Sequence, residues 1–473
     1  MATPDLSSDA ATETVAALAA GDVGSEELLD AMLARVERWS PELNLVVALD
    51  VDRARARARE ADAARARGES WGPLHGLPMT IKDSFETEGL VTTSGSPALA
   101  SYVPARDADA VAQLKAAGAI VFGKTNLPLY AGDFQSFNDV YGVSNNPWDP
   151  TRTVGGSSGG AAAAVACGMT LMELGSDIGG SIRVPAHYNG VFGHKSTFGA
   201  VAHRGHVPPA PGLLALPDLG VMGPLGRSAA DLALAMDVLA PTLPANTADL
   251  GRLRVGVIDE HPCAPTSLAC RAAVRRTADA LAAAGADVVP FTPPGLSLEQ
   301  QYLLYLRLLS AALAGGYPAS ALAAARERLA GDDLDAPTRA RTEGLVLSHL
   351  EWQRQDEKRW QLIAAWDSAF DDVDVVIAPI APTVAFPHNI DLPFSRRVLD
   401  VDGQTMPYPE HIAWAGFATL PYLPATAVPT GLHDGLPVGV QLIGRRHADR
   451  TTIAVAGVVE HHLGGFTPPP LTA

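Results

Sequence analysis

The chain has 473 residues, 47% of them hydrophobic and only 18% charged, below the ~25% charged share usual in soluble proteins, which excludes a mostly disordered protein. The charge balance is −17, from 35 Lys plus Arg against 52 Asp plus Glu; such a field repels phosphate backbones and anionic lipid, so neither nucleic acid nor a membrane is expected as partner. Cys167, Cys263 and Cys270 are too few for a disulfide framework, and neither a signal peptide nor a long apolar run appears, so a cytoplasmic protein is expected.

In chain order, residues 8–67 read as helices. Ser25 precedes Glu26, Glu27 and a Leu28/Leu29/Met32/Leu33/Val36 stripe at helical spacing. The alternating Arg53–Arg59 segment looks like a strand by pattern, but Ala and Arg are strong helix formers and nothing there is β-branched, so a solvated helix is predicted. From residue 77 the texture changes. A short apolar strand is expected at Leu77–Lys82, a helix at Asp107–Ala117, a strand at Ala119–Phe122, and a long Gly/Asn/Pro/Ser-rich loop over 123–160. A small-residue helix follows at Ala161–Cys167, then a strand at Leu171–Leu174 and a Gly-rich turn over 175–183.

Helix and strand go on alternating through Ser228–Ala240, Arg254–Val257 and Arg271–Ala284. Residues 297–370 read as almost entirely helical. Val373–Ala378, His411–Leu420 and Val438–Ile443 read as strand, helix and strand. This is an α/β pattern. With no repeat and no linker, one domain over 1–473 is expected. Its parts are N-terminal helices (1–70), a motif-bearing core (71–260), a helical excursion (295–370) and a closing part (371–473).

Two general motifs match and are set aside. Gly118–Thr125 fits the phosphate-loop pattern, yet a helix precedes it, its middle is a strand and Pro128 follows. Gly155–Gly159 fits the nucleophile elbow, yet Asn145–Pro150 before it is loop rather than strand. No metal-binding pattern is present, and no cofactor or metal is expected.

Three segments carry more. Lys82, one of only five lysines, ends the Gly76–Asp83 segment, where an apolar strand offers a solvated amine little; Asp83 should point to the opposite face. Gly155–Gly160 holds the adjacent Ser157 and Ser158. Gly175–Pro185 places Ser181 after Gly179 and Gly180, where successive amides can converge on an anion while a serine attacks a carbonyl. Singly, each has a plain reading: a snorkelling lysine, a serine-capped helix, a flexible turn.

Together, in this order, the three resemble the amidase signature family of serine hydrolases, and the match continues through Val191–Lys195 and Gly435–Gln441. The resemblance implies a single α/β domain with a mixed twisted sheet surrounded by helices. It also implies a Ser–cis-Ser–Lys triad: Ser181 as nucleophile, Ser157 as bridging serine and Lys82 as base. It further implies an oxyanion hole from the amides of Ile178, Gly179, Gly180 and Ser181, with Asp177 and Arg183 bracing the loop. The bridging serine lies 24 positions before the nucleophile in the family, which selects Ser157. Ser158 is then expected to cap a helix or brace a loop. A lysine of ordinary pKa, ~10.4, is less than about 0.1% neutral at pH 7, so the mechanism demands a drop of ~3 units through burial.

Several positions depart from the family's frequent pattern: Ser176, Leu129, Tyr188–Asn189 and Ser196. The Asn126–Gly142 loop lacks the pattern of the glutaminase-like subunit of tRNA-dependent amidotransferases. The expected activity is hydrolysis of a small-molecule amide, neutral and hydrophobic or aromatic. An amidotransferase component and a carbamate or ester hydrolase are the alternatives. The expected pocket draws on Tyr130, Phe134, Phe137, Leu213, Leu214, Phe386, Trp414 and Phe417. A homodimer is compatible with this reading.

Overall fold

Two sheets meet beneath the motif-bearing segments. The computed structural model describes residues 6–246, 248–331 and 333–472. The larger sheet has eight strands. Across it run Asp287–Pro290, Arg254–Val257, Val375–Pro379, Leu436–Ile443, Ala425–His433, Phe192–Lys195, Val221–Gly226 and Glu173–Asp177. The first three are parallel and the remaining pairings antiparallel, so the sheet is mixed. The smaller sheet orders Val46–Leu49, Ile120–Thr125 and Pro78–Lys82.

Glu173 ties the sheets together. Its Oε1 accepts from Thr80 Oγ1 at 2.9 Å and Thr125 Oγ1 at 2.8 Å, one from each of two neighbouring strands of the small sheet. Thr80 and Lys82 are two apart on one strand and share a face. The clamp at Thr80 therefore turns Lys82 toward the Glu173–Asp177 strand.

The helices follow their patterns, except that the N-terminal stretch read as helical is broken by the strand Val46–Leu49, which pairs with Ile120–Thr125. Val51–Ala66 is helical, with Ala54, Ala58, Ala61 and Ala64 buried along one stripe. Its arginines face outward, Arg55 onto Asp30 and Arg59 onto Glu26. Such exposed pairs contribute little stability each, but they use up the basic face. The helical stretch resolves into Leu298–Leu313, Ala319–Leu329, Ala336–Leu345 and His349–Ala369. Capping boxes at Ser297/Gln300 and Ser348/Glu351 start the first and last of these. Among the described residues, no helix is long and apolar enough to cross a membrane.

Some boundaries differ from the sequence reading. The strand expected at Leu171–Leu174 is Glu173–Asp177, running into the expected turn. The helix expected over His411–Leu420 divides into a 3-10 turn at Tyr408–Ile412 and a helix at Ala413–Thr419. The strands Ala425–His433, Phe192–Lys195 and Val221–Gly226 carry Gly, Pro or polar residues and give no strand signal of their own. Gly223 serves close approach: a Cβ there would stand 1.9 Å from the His194 carbonyl oxygen on the adjoining strand.

Gly223 also pairs with Gly175, next to Ser176. Gly223→Ala should therefore lower the urea midpoint by an amount worth ~1–3 kcal/mol, the usual cost of forcing extra volume into packed structure. A wild-type midpoint would mean the two strands separate without cost.

Candidate functional site

Lys82 is wholly buried and ends its strand against three hydroxyls. Its Nζ lies 2.7 Å from Ser157 Oγ, 2.9 Å from Ser158 Oγ and 2.9 Å from Ser176 Oγ. Among the described residues, no carboxylate is bonded to it. Burial lowers its pKa to about 7, against the opposing pull of Asp177 and Glu173. Asp83 lies in the turn just past the strand and accepts from the Thr93 amide and hydroxyl.

The peptide bond between Gly156 and Ser157 is cis. Gly156 leaves no room for a side chain, because a Cβ there would lie 2.4 Å from the Asp133 carbonyl oxygen. The 133–136 segment is fixed in turn. Asp133 accepts from Arg397 Nη1 and the Tyr408 hydroxyl, each at 2.6 Å, and Ser136 donates to the Gly155 carbonyl at 2.9 Å.

After Ser158 the helix Gly159–Ala166 begins, every residue of it buried. Ser158 stands at the N-cap position but makes no side-chain cap. Its hydroxyl instead donates to the Ser176 carbonyl at 3.3 Å and accepts from the Ser176 amide at 3.4 Å. Of the two expected roles, bracing holds and capping does not. Gly175 makes this contact feasible, since a Cβ there would sit 3.0 Å from Ser158 Oγ.

Asp177 organises the next loop. It accepts from the amides of Gly180 at 2.9 Å, Ile182 at 3.1 Å and Arg183 at 3.4 Å, and pairs with Arg183 through Nε at 3.0 Å and Nη2 at 2.9 Å. Burial would raise its pKa, but the Arg183 charge and hydrogen bonds, with Lys195 and the Gly180 amide, hold it down at about 2. Arg183 is itself anchored to Gln441 Oε1 at 2.7 Å and Thr419 Oγ1 at 3.0 Å. Asp177 and Arg183 thus sit where a loop brace was expected.

Gly180 adopts φ +96°, and a Cβ there would press on Ala415 and Val184. The amides of Ile178, Gly179 and Ser181 have no protein acceptor among the described residues. The Gly180 amide does have one, Asp177 Oδ1, which separates it from the other three expected donors. Ser181 keeps 7% of its surface exposed, Ser157 1% and Lys82 none. The Ser158 amide donates to the Ser181 carbonyl at 3.0 Å and joins the two loops.

Two contributors carry no sequence signal. Tyr305, from the helical stretch, donates to the Ile178 carbonyl at 2.8 Å and so fixes the loop from above. His206 lies 2.9 Å from Ser176 Oγ through Nε2, while its Nδ1 lies 2.8 Å from the Pro208 carbonyl. Tyr305 sits in an ordinary apolar helix pattern and His206 in a Pro-rich loop, so only the tertiary fold reveals them.

The expected pocket residues divide into a buried group within one apolar cluster and a group outside it. Phe134, Phe386, Trp414 and Phe417 are buried in the core, and Trp414 bonds Thr266. Leu213, Leu214 and Tyr130 are exposed, and Phe137 is half-buried. Aromatic content marks packing here, not a binding surface. Among the described residues, no group of three or more His, Cys, Asp or Glu is placed to hold a metal ion. Lys124 of the phosphate-loop-like segment is buried in a strand and donates to the Phe85 carbonyl and Thr87.

Comparison with known proteins gives the family. The amidase family model matches residues 27–453. The chain is 35% identical to a glutamyl-tRNA(Gln) amidotransferase subunit of Chloroflexus aurantiacus, over 94% of each chain. It is 30% identical to a protein solved as an amidase, covering 96% of this chain and 100% of that one with TM-score 0.79. It is also 30% identical to a protein from a vestigial complex bearing on the origins of an s-triazine catabolic enzyme, covering 97% and 100% with TM-score 0.80. The sequence reading of the Asn126–Gly142 loop sets the tRNA-dependent relatives aside, whereas whole-chain similarity includes them. With a family match over most of its length and relatives above 30% identity end to end, the chain belongs to the amidase signature family of amide-hydrolysing enzymes.

Proposed function

We propose that this enzyme hydrolyses a small neutral amide through an acyl-serine on Ser181, with Ser157 relaying the proton to Lys82. The observation that carries the reading is the buried amine of Lys82, which among the described residues is hydrogen-bonded to three hydroxyls and to no carboxylate. Exposure falls from Ser181 through Ser157 to Lys82, the order of substrate-facing nucleophile, relay and dry base. Ser181 Oγ attacks the amide carbon, and its proton passes through Ser157 to Lys82. The amides of Ile178, Gly179 and Ser181 receive the oxyanion, while Gly180 supplies the turn and leaves its amide to Asp177. Lys82 then returns the proton through Ser157 to the leaving amine. Water repeats the sequence on the ester.

Ser158 is a poor rival for the relay. Its proton goes to the Ser176 carbonyl, and its lone pairs face Lys82 and the Ser176 amide, which exhausts a hydroxyl's one donor and two acceptor sites.

The second reading is a glutaminase-like component of an amidotransferase, favoured by the relatives of that name at 35% and 36% identity. A panel of 4-nitroacetanilide, benzamide and glutamine separates the two. The purified chain alone should turn over the anilide or benzamide. Turnover of glutamine only, and only with partner chains, would favour the second reading.

Ser181→Ala should abolish turnover and labelling by a fluorophosphonate; undiminished labelling would place the nucleophile elsewhere. With Lys82 at about 7, the base is neutral above that pH and protonated below it. Acylation should therefore fall as pH drops through 7 and level off above it. Lys82→Ala should lose ~10²–10⁴-fold, the span of general-base assistance, and leave a steep alkaline dependence. A flat wild-type profile across pH 5–9 would contradict the base assignment.

Ser157→Ala should cost ~10²–10⁴-fold in single-turnover acylation, and Ser158→Ala much less at equal foldedness by circular dichroism. The reverse order would shift the relay by one residue.

A further inference from the structure

We propose that His206 is a positioning residue for the base: it takes the proton of Ser176, so that Ser176 can only accept from Lys82 and the amine's lone pair is left for Ser157. The proposal rests on the reading of Lys82 as general base and adds to it a residue outside the three motif segments.

The argument is a count of protons. A carbonyl oxygen only accepts, so the 2.8 Å contact to Pro208 puts the His206 proton on Nδ1. Nε2 is then a lone pair, 2.9 Å from Ser176 Oγ, and Ser176 must donate to it. A hydroxyl has one proton. Ser176 therefore meets Lys82 Nζ, 2.9 Å away, with a lone pair only. Ser158 meets Lys82 in the same way, its proton being held by the Ser176 carbonyl. A neutral amine has two N–H groups and one lone pair. Ser158 and Ser176 consume the two N–H groups. The third direction, toward Ser157 Oγ at 2.7 Å, is the lone pair, ready to accept.

The histidine is held for this work. Its ring packs edge-on to Phe85 at 5.0 Å, and its backbone bridges Phe85, three residues beyond Lys82. Burial, with the nearby charges of His203, Lys82 and Lys124, keeps it neutral well below the usual histidine range. Without it, the Ser176 hydroxyl could turn and donate to the amine's lone pair. That would compete with Ser157 and would stabilise neutral Lys82 while offering nothing extra to the ammonium.

The two effects have opposite signatures, which gives the test. The readout is the pH dependence of the maximal fluorophosphonate inactivation rate. His206→Leu should lower the plateau about tenfold, one hydrogen bond's net worth. Its acidic limb should move to lower pH, by about half a unit. His206→Gln, whose side-chain oxygen can accept from Ser176, should restore both, and half-saturation should change in neither. His206→Leu added to Ser176→Ala should do nothing further.

Other groups near the base do not mimic this. Glu173, raised to about 7 by burial, touches neither Ser176 nor His206, and Asp177, Arg183 and Lys195 are unaltered in every variant. A limb set by any of them stays in place. A lowered plateau with an unmoved or raised limb, a wild-type profile, or additive losses in the double variant would each overturn the proposal. If the leucine variant does not fold, His206→Asn, too short to reach Ser176, replaces it against His206→Gln with the same expectations. Lys82→Ala is measured alongside. Its wild-type rate would overturn the base reading and this proposal together, whereas its loss beside an unmoved His206→Leu profile overturns the proposal alone.

Discussion

An amine buried without a counter-charge is the constraint around which the site is arranged. Removing an ammonium from water costs several kcal/mol unless it is paired, and Lys82 is met by hydroxyls rather than by a carboxylate. The lysine sheds its proton more easily as a result. The carboxylates that act on its charge, Asp177 and Glu173, are both occupied: Asp177 by Arg183 and three loop amides, Glu173 by two threonines and the Leu174 amide. Each oppositely charged neighbour therefore has other work, and the amine stays poised near neutrality.

The same residues build the scaffold. Glu173 begins the strand that Asp177 ends, so one five-residue segment joins the two sheets at its start and folds the Ser181 loop at its end. Lys82 arrives from the small sheet, Ser176 from the large one, and Ser157 from a loop braced by Asp133–Ser136. The cluster around Lys82 is thus assembled from two sheets and a loop. A shift in the register of the Glu173–Asp177 strand would move Ser176 and Asp177 together.

The family's motif residues are legible in the sequence because their chemistry is local: Gly179–Gly180–Ser181, the adjacent serines and a lysine at a strand end stand out in a chain with five lysines. The helix at 51–66 is legible despite its alternation, because propensity overrides pattern. The strands beneath the site are not. Val221–Gly226 holds Gly and Pro where β-branched residues would advertise a strand, since close backbone approach at Gly223 matters more there than propensity; Ala425–His433 is interrupted by Pro429 and Gly431. The pocket inventory fails for a related reason: Trp414 and Phe417 are aromatic because the core needs volume. Sequence leaves two roles open to Ser158, and only its distances to Lys82 and Ser176 choose between them. His206 and Tyr305 act across the fold, so nothing near them in sequence could announce them.

The central claim is that Lys82 is neutral at working pH, and its own titration tests that most directly. Lysine labelled with ¹³C at Cε gives few signals in a chain with five lysines, and the one missing from Lys82→Met belongs to Lys82. This account predicts that this signal titrates near pH 7. A signal that stays in its charged position up to pH 10 would contradict it.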